Sequence, residues 1–119
     1  MRWFTKNWAN THEPSHPDLS PLTVPLASGA AADVVKKAVG VLPRWRVESE
    51  SLGELKLTRR TRLLGFVDDV TVSIQPAGSA SRIHAASKSR VGVGYLGENR
   101  RNILELWGAI RTLLCPTCS

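Results

Sequence analysis

The chain has 119 residues, 42% of them hydrophobic and 22% charged, which is the balance of one domain able to bury a single core. Sixteen Lys and Arg against ten Asp and Glu leave a formal net charge of +6, so acidic protein, nucleic acid and anionic membrane are the partner classes to weigh. The cations are scattered, as Lys36 and Lys37, Arg44 and Arg46, Arg59 and Arg60, Arg100 and Arg101, and aromatics are only 6% of the chain. That argues against a platform for stacking nucleic-acid bases, while a basic sheet face stays open. No stretch is long and apolar enough to cross a bilayer. The start, MRWFTKNWANTHEP, lacks the apolar centre of a signal peptide, so the expected location is cytoplasmic or peripheral, unless a leader has already been trimmed.

Residues 1–27 hold Pro14, Pro17, Pro21 and Pro25, which disfavours a long helix and predicts an extended strap or a mobile arm. Trp3, Phe4 and Trp8 at its tip either anchor it to the domain or dock on a partner or lipid interface. Residues 28–114 read as one domain. Ser28 is the predicted N-cap of a helix to about Leu42, with Ala31, Val34, Val35, Ala38 and Leu42 at helical spacing and Pro43 marking the stop. Four strand-like stretches follow, about Arg44 to Ser51, Glu54 to Thr61, Gly65 to Pro76 and Arg82 to Val91, separated by turn residues. The connections are too short for parallel crossovers. A final helix spans about Asn99 to Leu114, with Ile103, Leu106, Trp107, Ile110 and Leu114 as its apolar stripe. The predicted fold is therefore α+β in two layers, a four-stranded antiparallel meander with both helices on one face, in the order α-β-β-β-β-α. Residues 115–119 form a tail.

Alternation along the strands turns Trp45, Val47, Leu55, Leu57, Phe66, Val70, Val72, Ile74, Ile83, Ala85 and Val91 towards the helices. The same parity brings Arg59, Asp68, Ser87 and Ser89 inward. Pairing about the turns sets Trp45 beside Arg59, Arg59 opposite Asp68, and Asp68 opposite Ser89, with Val47, Leu57, Val70 and Ser87 in the next row. Because an unpaired buried charge is costly, Arg59 and Asp68 are expected to form an ion pair completed by Ser89. The row either locks register and ties the corner to the sheet or, with Arg90, lines a ligand site. The former is preferred, because a buried ionic group does not by itself make a site.

Residues 66–70, FVDDV, and 87–103, SKSRVGVGYLGENRRNI, resemble the signature of a bacterial and plastid family known as domain of unknown function 1499. HPDLSPL at 16–22 and LPRW at 42–45 extend the likeness over most of the chain. The resemblance implies that Asp68, Asp69, Ser87, Ser89, Arg90, Gly92, Leu96, Gly97, Asn99 and Arg101 are family residues. Tyr95 stands where members usually carry an aspartate. The resemblance implies no reaction.

Three motifs invite sharper readings. Gly92-Val93-Gly94-Tyr95-Leu96-Gly97 spells GxGxxG between strand and helix, but too little chain follows for the parallel strands of a dinucleotide fold. A smaller anion is the surviving version, held by amides from Gly97 onward, Asn99, Arg100 and Arg101 at the helix start. The alternative is a tight turn with Asn99 as the cap. Cys115-Pro116-Thr117-Cys118 follows a helix instead of preceding one and supplies half a zinc site at most, so a local disulfide or two free thiols is expected, with no metal. Asp68 and Asp69 are adjacent in a strand and face opposite ways, so they do not make an acid and base pair. His84 falls on the outward parity.

The functional expectation is a non-catalytic binding or accessory domain that uses the corner from Ser87 to Asn99 for a protein partner or small anionic ligand, without a cofactor. One alternative is an enzyme or anion-binding site around Arg59, Asp68, Ser89 and Arg90. The other is peripheral membrane attachment through the aromatic tip.

Overall fold

Two tight hairpins and one longer connection set the sheet. The structure is a computed structural model that describes residues 8–12, 19–60, 66–90 and 98–114. Its elements in chain order are β1 (Trp8–Asn10), β2 (Leu22–Val24), α1 (Ser28–Val41), β3 (Trp45–Ser51), β4 (Glu54–Arg60), β5 (Val67–Ala77), β6 (Ala80–Ser89) and α2 (Glu98–Leu114). Strands β3 and β4 pair as far as Ser51 opposite Glu54, and β5 and β6 as far as Ala77 opposite Ala80, so each hairpin turns on two residues. Gly53 at φ 76° and Gly78 at φ 66° supply the left-handed backbone that such turns need. At Gly53 the backbone angle alone sets the requirement, since a Cβ there would lie at an ordinary contact distance of 3.5 Å from the Ile74 carbonyl.

The sheet is antiparallel throughout, in the order β1-β6-β5-β4-β3, with β2 also on β6. It has six strands where the sequence predicts four. The two extra ones come from the proline-rich start: β2 pairs with Ser81 to Ile83 and β1 with Ala86 to Lys88, end to end along the same edge of β6. The Thr11 amide donates to the Ala85 carbonyl at 3.0 Å between them. Three-residue strands carry too little pattern to be read as strands, yet here they cover an edge that would otherwise expose a row of unpaired backbone groups. Ala9, Leu19, Leu22 and Val24 are buried and the Trp107 indole donates to the Ser20 carbonyl at 2.9 Å. Trp3 and Phe4 lie outside the described residues.

Strand β5 shows the alternation most fully, with Asp68, Val70, Val72 and Ile74 buried and their neighbours partly exposed. In β3 the register shifts between Val47 and Ser49, so Glu48 is the extra residue of a bulge. The inward side chains of the sheet join Ala31, Val35, Ala38 and Val39 of α1 and Ile103, Leu106, Trp107 and Ile110 of α2 in one buried cluster. Each of the large ones contributes about 1.5–3 kcal/mol by leaving water.

Three local expectations change. Ala27, not Ser28, is the N-cap of α1 and makes no side-chain cap bond, while the Ser28 hydroxyl lies 3.4 Å from that of Ser81. Phe66 precedes β5 and is 40% exposed instead of facing the core. Arg44, between Pro43 and β3, adopts φ 70°, a conformation that costs a residue with a Cβ about 1–2 kcal/mol.

Candidate functional site

The predicted cross-strand row forms in the predicted register. Trp45 stands beside Arg59, Arg59 beside Asp68 and Asp68 beside Ser89, with Val70 beside Ser87 in the next row. What the row bonds to is different. Arg59 Nε donates to Glu105 Oε1 of α2 at 3.1 Å, and Trp45 Nε1 donates to the same oxygen at 2.8 Å. Asp68 Oδ2 accepts from Asn102 Nδ2 at 2.8 Å. The expected Arg59–Asp68 ion pair is therefore replaced by two separate attachments to the helix above. A long guanidinium stem on the sheet reaches upward more readily than sideways, and Glu105 is waiting there with 34% of its side chain still exposed, against 12% for Arg59.

Deeper in, Asn102 Nδ2 also donates to Ser87 Oγ at 3.0 Å, Ser87 Oγ donates to Asn99 Oδ1 at 2.6 Å, and Asn99 Nδ2 donates to Ser89 Oγ at 3.1 Å. The exposures of Asp68, Ser87, Asn99 and Asn102 are 1%, 1%, 5% and 0%. A carboxylate, a hydroxyl and two amides are thus closed on one another under the first turns of α2. Among the described residues, Asn102 Oδ1 is buried without a hydrogen-bond partner, an arrangement that costs roughly 1–3 kcal/mol.

Asn99, Asn102 and Glu105 recur every three residues along α2, a step of about 4.5 Å along the axis. Neighbouring strands lie about 4.8 Å apart. The three side chains reach successive strands, Asn99 bonding to β6, Asn102 to β5 and β6, and Glu105 to β4 and β3. Sequence reasoning identified Asn99 as a cap and missed Asn102 and Glu105. The available signal was this spacing of three beside the apolar stripe, matched against the polar row.

The remaining candidates separate. Ser89 joins the network through Asn99, but Arg90 does not: its Nε and Nη2 donate to the two Asp69 oxygens at 2.9 Å each, on the exposed outward side. The Asp69 carboxylate raises the Arg90 pKa, through these hydrogen bonds first and charge attraction second, with Glu48 adding to the effect. Arg100 is half-buried and Arg101 exposed at the start of α2. The side chain of Asn99, the expected anion ligand or cap, bonds to Ser87 and Ser89. Gly97, the GxGxxG turn, Cys115 and Cys118 lie outside the described residues. Among the described residues, no group of three His, Cys, Asp or Glu could hold a metal ion, and no helix is long and apolar enough to cross a membrane.

A second polar contact lies on the outward side. His84, on that parity as expected, is 9% exposed, because Thr11 Oγ1 sits 3.2 Å from its Nδ1 and the His12 ring stacks on it at 3.8 Å between centroids. Burial lowers the His84 pKa, with the His12 and Arg82 charges as further causes in the same direction.

No curated protein matches the sequence. Among solved structures, TTHA0849 from Thermus thermophilus is similar in outline, at 8% identity and a TM-score of 0.45, with 94% of this chain and 99% of that one covered; a likeness that distant carries no functional argument. The family model described as protein of unknown function, DUF1499, matches residues 4–110, a span that takes in β1, the whole meander and the three polar residues of α2. The chain belongs to the DUF1499 family.

Proposed function

We propose that the chain is a non-catalytic binding domain that uses the corner from Ser87 to Asn99 for a protein partner or a small anionic ligand, with the buried network that joins its two ends, Ser87 and Asn99, as the brace. The observation that supports this reading is the closure of the network. Asp68, Ser87, Asn99 and Asn102 are 5% exposed or less and bond to one another. A general acid, base or nucleophile has to come within hydrogen-bond reach of its substrate, whereas a brace works best sealed from water. Arg100 and Arg101, on the turn that carries Asn99, add positive charge at the end of α2 where the backbone dipole is already positive.

The test is capture from native extract with wild type and Arg101→Glu, followed by calorimetric titration of the purified partner or small molecule against both. Saturable binding weakened on the order of tenfold in the variant is expected for a charge-assisted contact. Equal binding by the two would move the surface elsewhere, and turnover of the captured molecule would overturn the non-catalytic reading.

A further inference from the structure

At the β3–β4 side of the sheet lies a cleft of about 150 Å³ lined by Arg44, Trp45, Arg46, Glu48, Thr58 and Arg60. The backbone brings these residues together by ordinary strand geometry. Arg46 is directly opposite Thr58, and the Arg60 amide donates to the Arg44 carbonyl at 3.0 Å, which places the three arginines around one end of the β3–β4 pair. The Thr58 hydroxyl donates to Glu48 Oε2 at 2.7 Å, and so fixes the single carboxylate to the wall. Among the described residues, neither Arg44 nor Arg46 has an ion-pair partner, and both are exposed.

Two features separate this cleft from a merely solvated basic surface. Arg44 and Arg46, two exposed guanidinium groups without an ion-pair partner among the described residues, flank the one carboxylate of the lining, which Thr58 already holds, and two such forks suit a ligand with several acceptor oxygens. A phosphate group carries about −1.5 to −2 at neutral pH and offers oxygens to several donors at once, whereas a lone carboxylate is satisfied by one guanidinium fork. Arg44 also holds φ 70°, where glycine would sit without strain; strain of that kind gathers at ligand clamps. We infer that the Arg44, Arg46 and Arg60 cleft is a binding site for a phosphate-type dianion, either free or carried on a small organic molecule. Glu48 of its lining also acts on Arg90, but neither reading depends on the other.

The experiment is isothermal titration of the full chain at physiological ionic strength with inorganic phosphate and, separately, with glycerol phosphate. Saturable binding to a single site is expected. Arg46→Ala and Arg44→Gly should each weaken it on the order of tenfold, and Arg44→Gly should do so with an unfolding midpoint no lower than wild type. Arg82→Ala removes an exposed charge from another part of the sheet, where Arg82 pairs with Gln75, and should change the affinity less than twofold. Tighter binding of the ester identifies phosphate carried on an organic group, and equal or tighter binding of inorganic phosphate identifies the free ion. Absence of saturation with both probes overturns the proposal, as does an Arg82→Ala loss equal to that of Arg46→Ala, which would mark a diffuse field instead of a site.

Discussion

Asn102 is the residue on which the buried network turns, and Asn102→Ala should destabilise the fold by about 2 kcal/mol. The figure follows from what the amide touches. Its Nδ2 is the described donor to the Asp68 carboxylate, at 2.8 Å, and donates as well to Ser87 at 3.0 Å. Stripping the donor from a buried charge costs about 3 kcal/mol, the lower end of the range for breaking a buried ionic contact, because the partner here is neutral. Removing Asn102 Oδ1, which is buried and unpartnered among the described residues, gives back about 1 kcal/mol. For a domain of this size the net loss lowers the midpoint of thermal unfolding by roughly 8 °C. Urea unfolding followed by circular dichroism measures it directly. Asp68→Asn keeps an oxygen for Asn102 and removes the buried charge, so the same alanine substitution in that background should cost less, with a coupling of about 1 kcal/mol. An Asn102→Ala loss below about 0.5 kcal/mol, or full additivity with Asp68→Asn, would refute the reasoning.

Glu105→Ala leaves the Trp45 indole and a mostly buried Arg59 without their shared acceptor; a loss of about 2 kcal/mol in urea unfolding is expected, and wild-type stability would show that water replaces the carboxylate at no cost. Two glycines should respond in opposite directions: Gly53→Ala, at φ 76°, loses about 1–2 kcal/mol, while Gly108→Ala, in α2 with nothing within 4 Å of a new Cβ, gains about 1 kcal/mol. His84 binds its proton less readily folded than unfolded, because burial and the nearby His12 and Arg82 charges lower its pKa. Its contribution is therefore complete above the unfolded value near 6.5 and is lost as pH falls below it. Thermal midpoints between pH 8 and pH 5 should decline less in His84→Gln than in wild type, and parallel profiles would count against the assignment.

The meander was legible because its signals are local. Leu52-Gly53 and Gly78-Ser79 are turn pairs, and the alternation of Asp68, Val70, Val72 and Ile74 has a period of two that no helix imitates. From those turns the register followed, and with it the neighbours Trp45, Arg59, Asp68 and Ser89. The strands β1 and β2 were not legible, since three residues such as Leu22-Thr23-Val24 carry no periodicity and owe their conformation to the edge of β6. Nor was the bonding of Arg59. Register tells which Cα atoms are neighbours, while the direction of a long side chain depends on what lies above the sheet, and that required α2 to be in place.

The placement of α2 accounts for why a polar row survives inside an apolar layer. The apolar contacts of the core-facing stripe of Ile103, Leu106, Trp107 and Ile110 hold the helix against the sheet and, being non-directional, would by themselves let it slide along its own axis, with the Trp107 indole bond to the Ser20 carbonyl as one restraint. Asn99, Asn102 and Glu105 do not allow this. A slide that brought Glu105 to Asp68 would set carboxylate against carboxylate and take from Arg59 and the Trp45 indole the acceptor they share. The network thus makes wrong placements costly more than it makes the right one strong, as expected where a buried ionic group could be replaced by apolar side chains at little loss of stability. Fixing α2 along its axis fixes its first turn against the end of β6, where Asn99 bonds to Ser87 and Ser89.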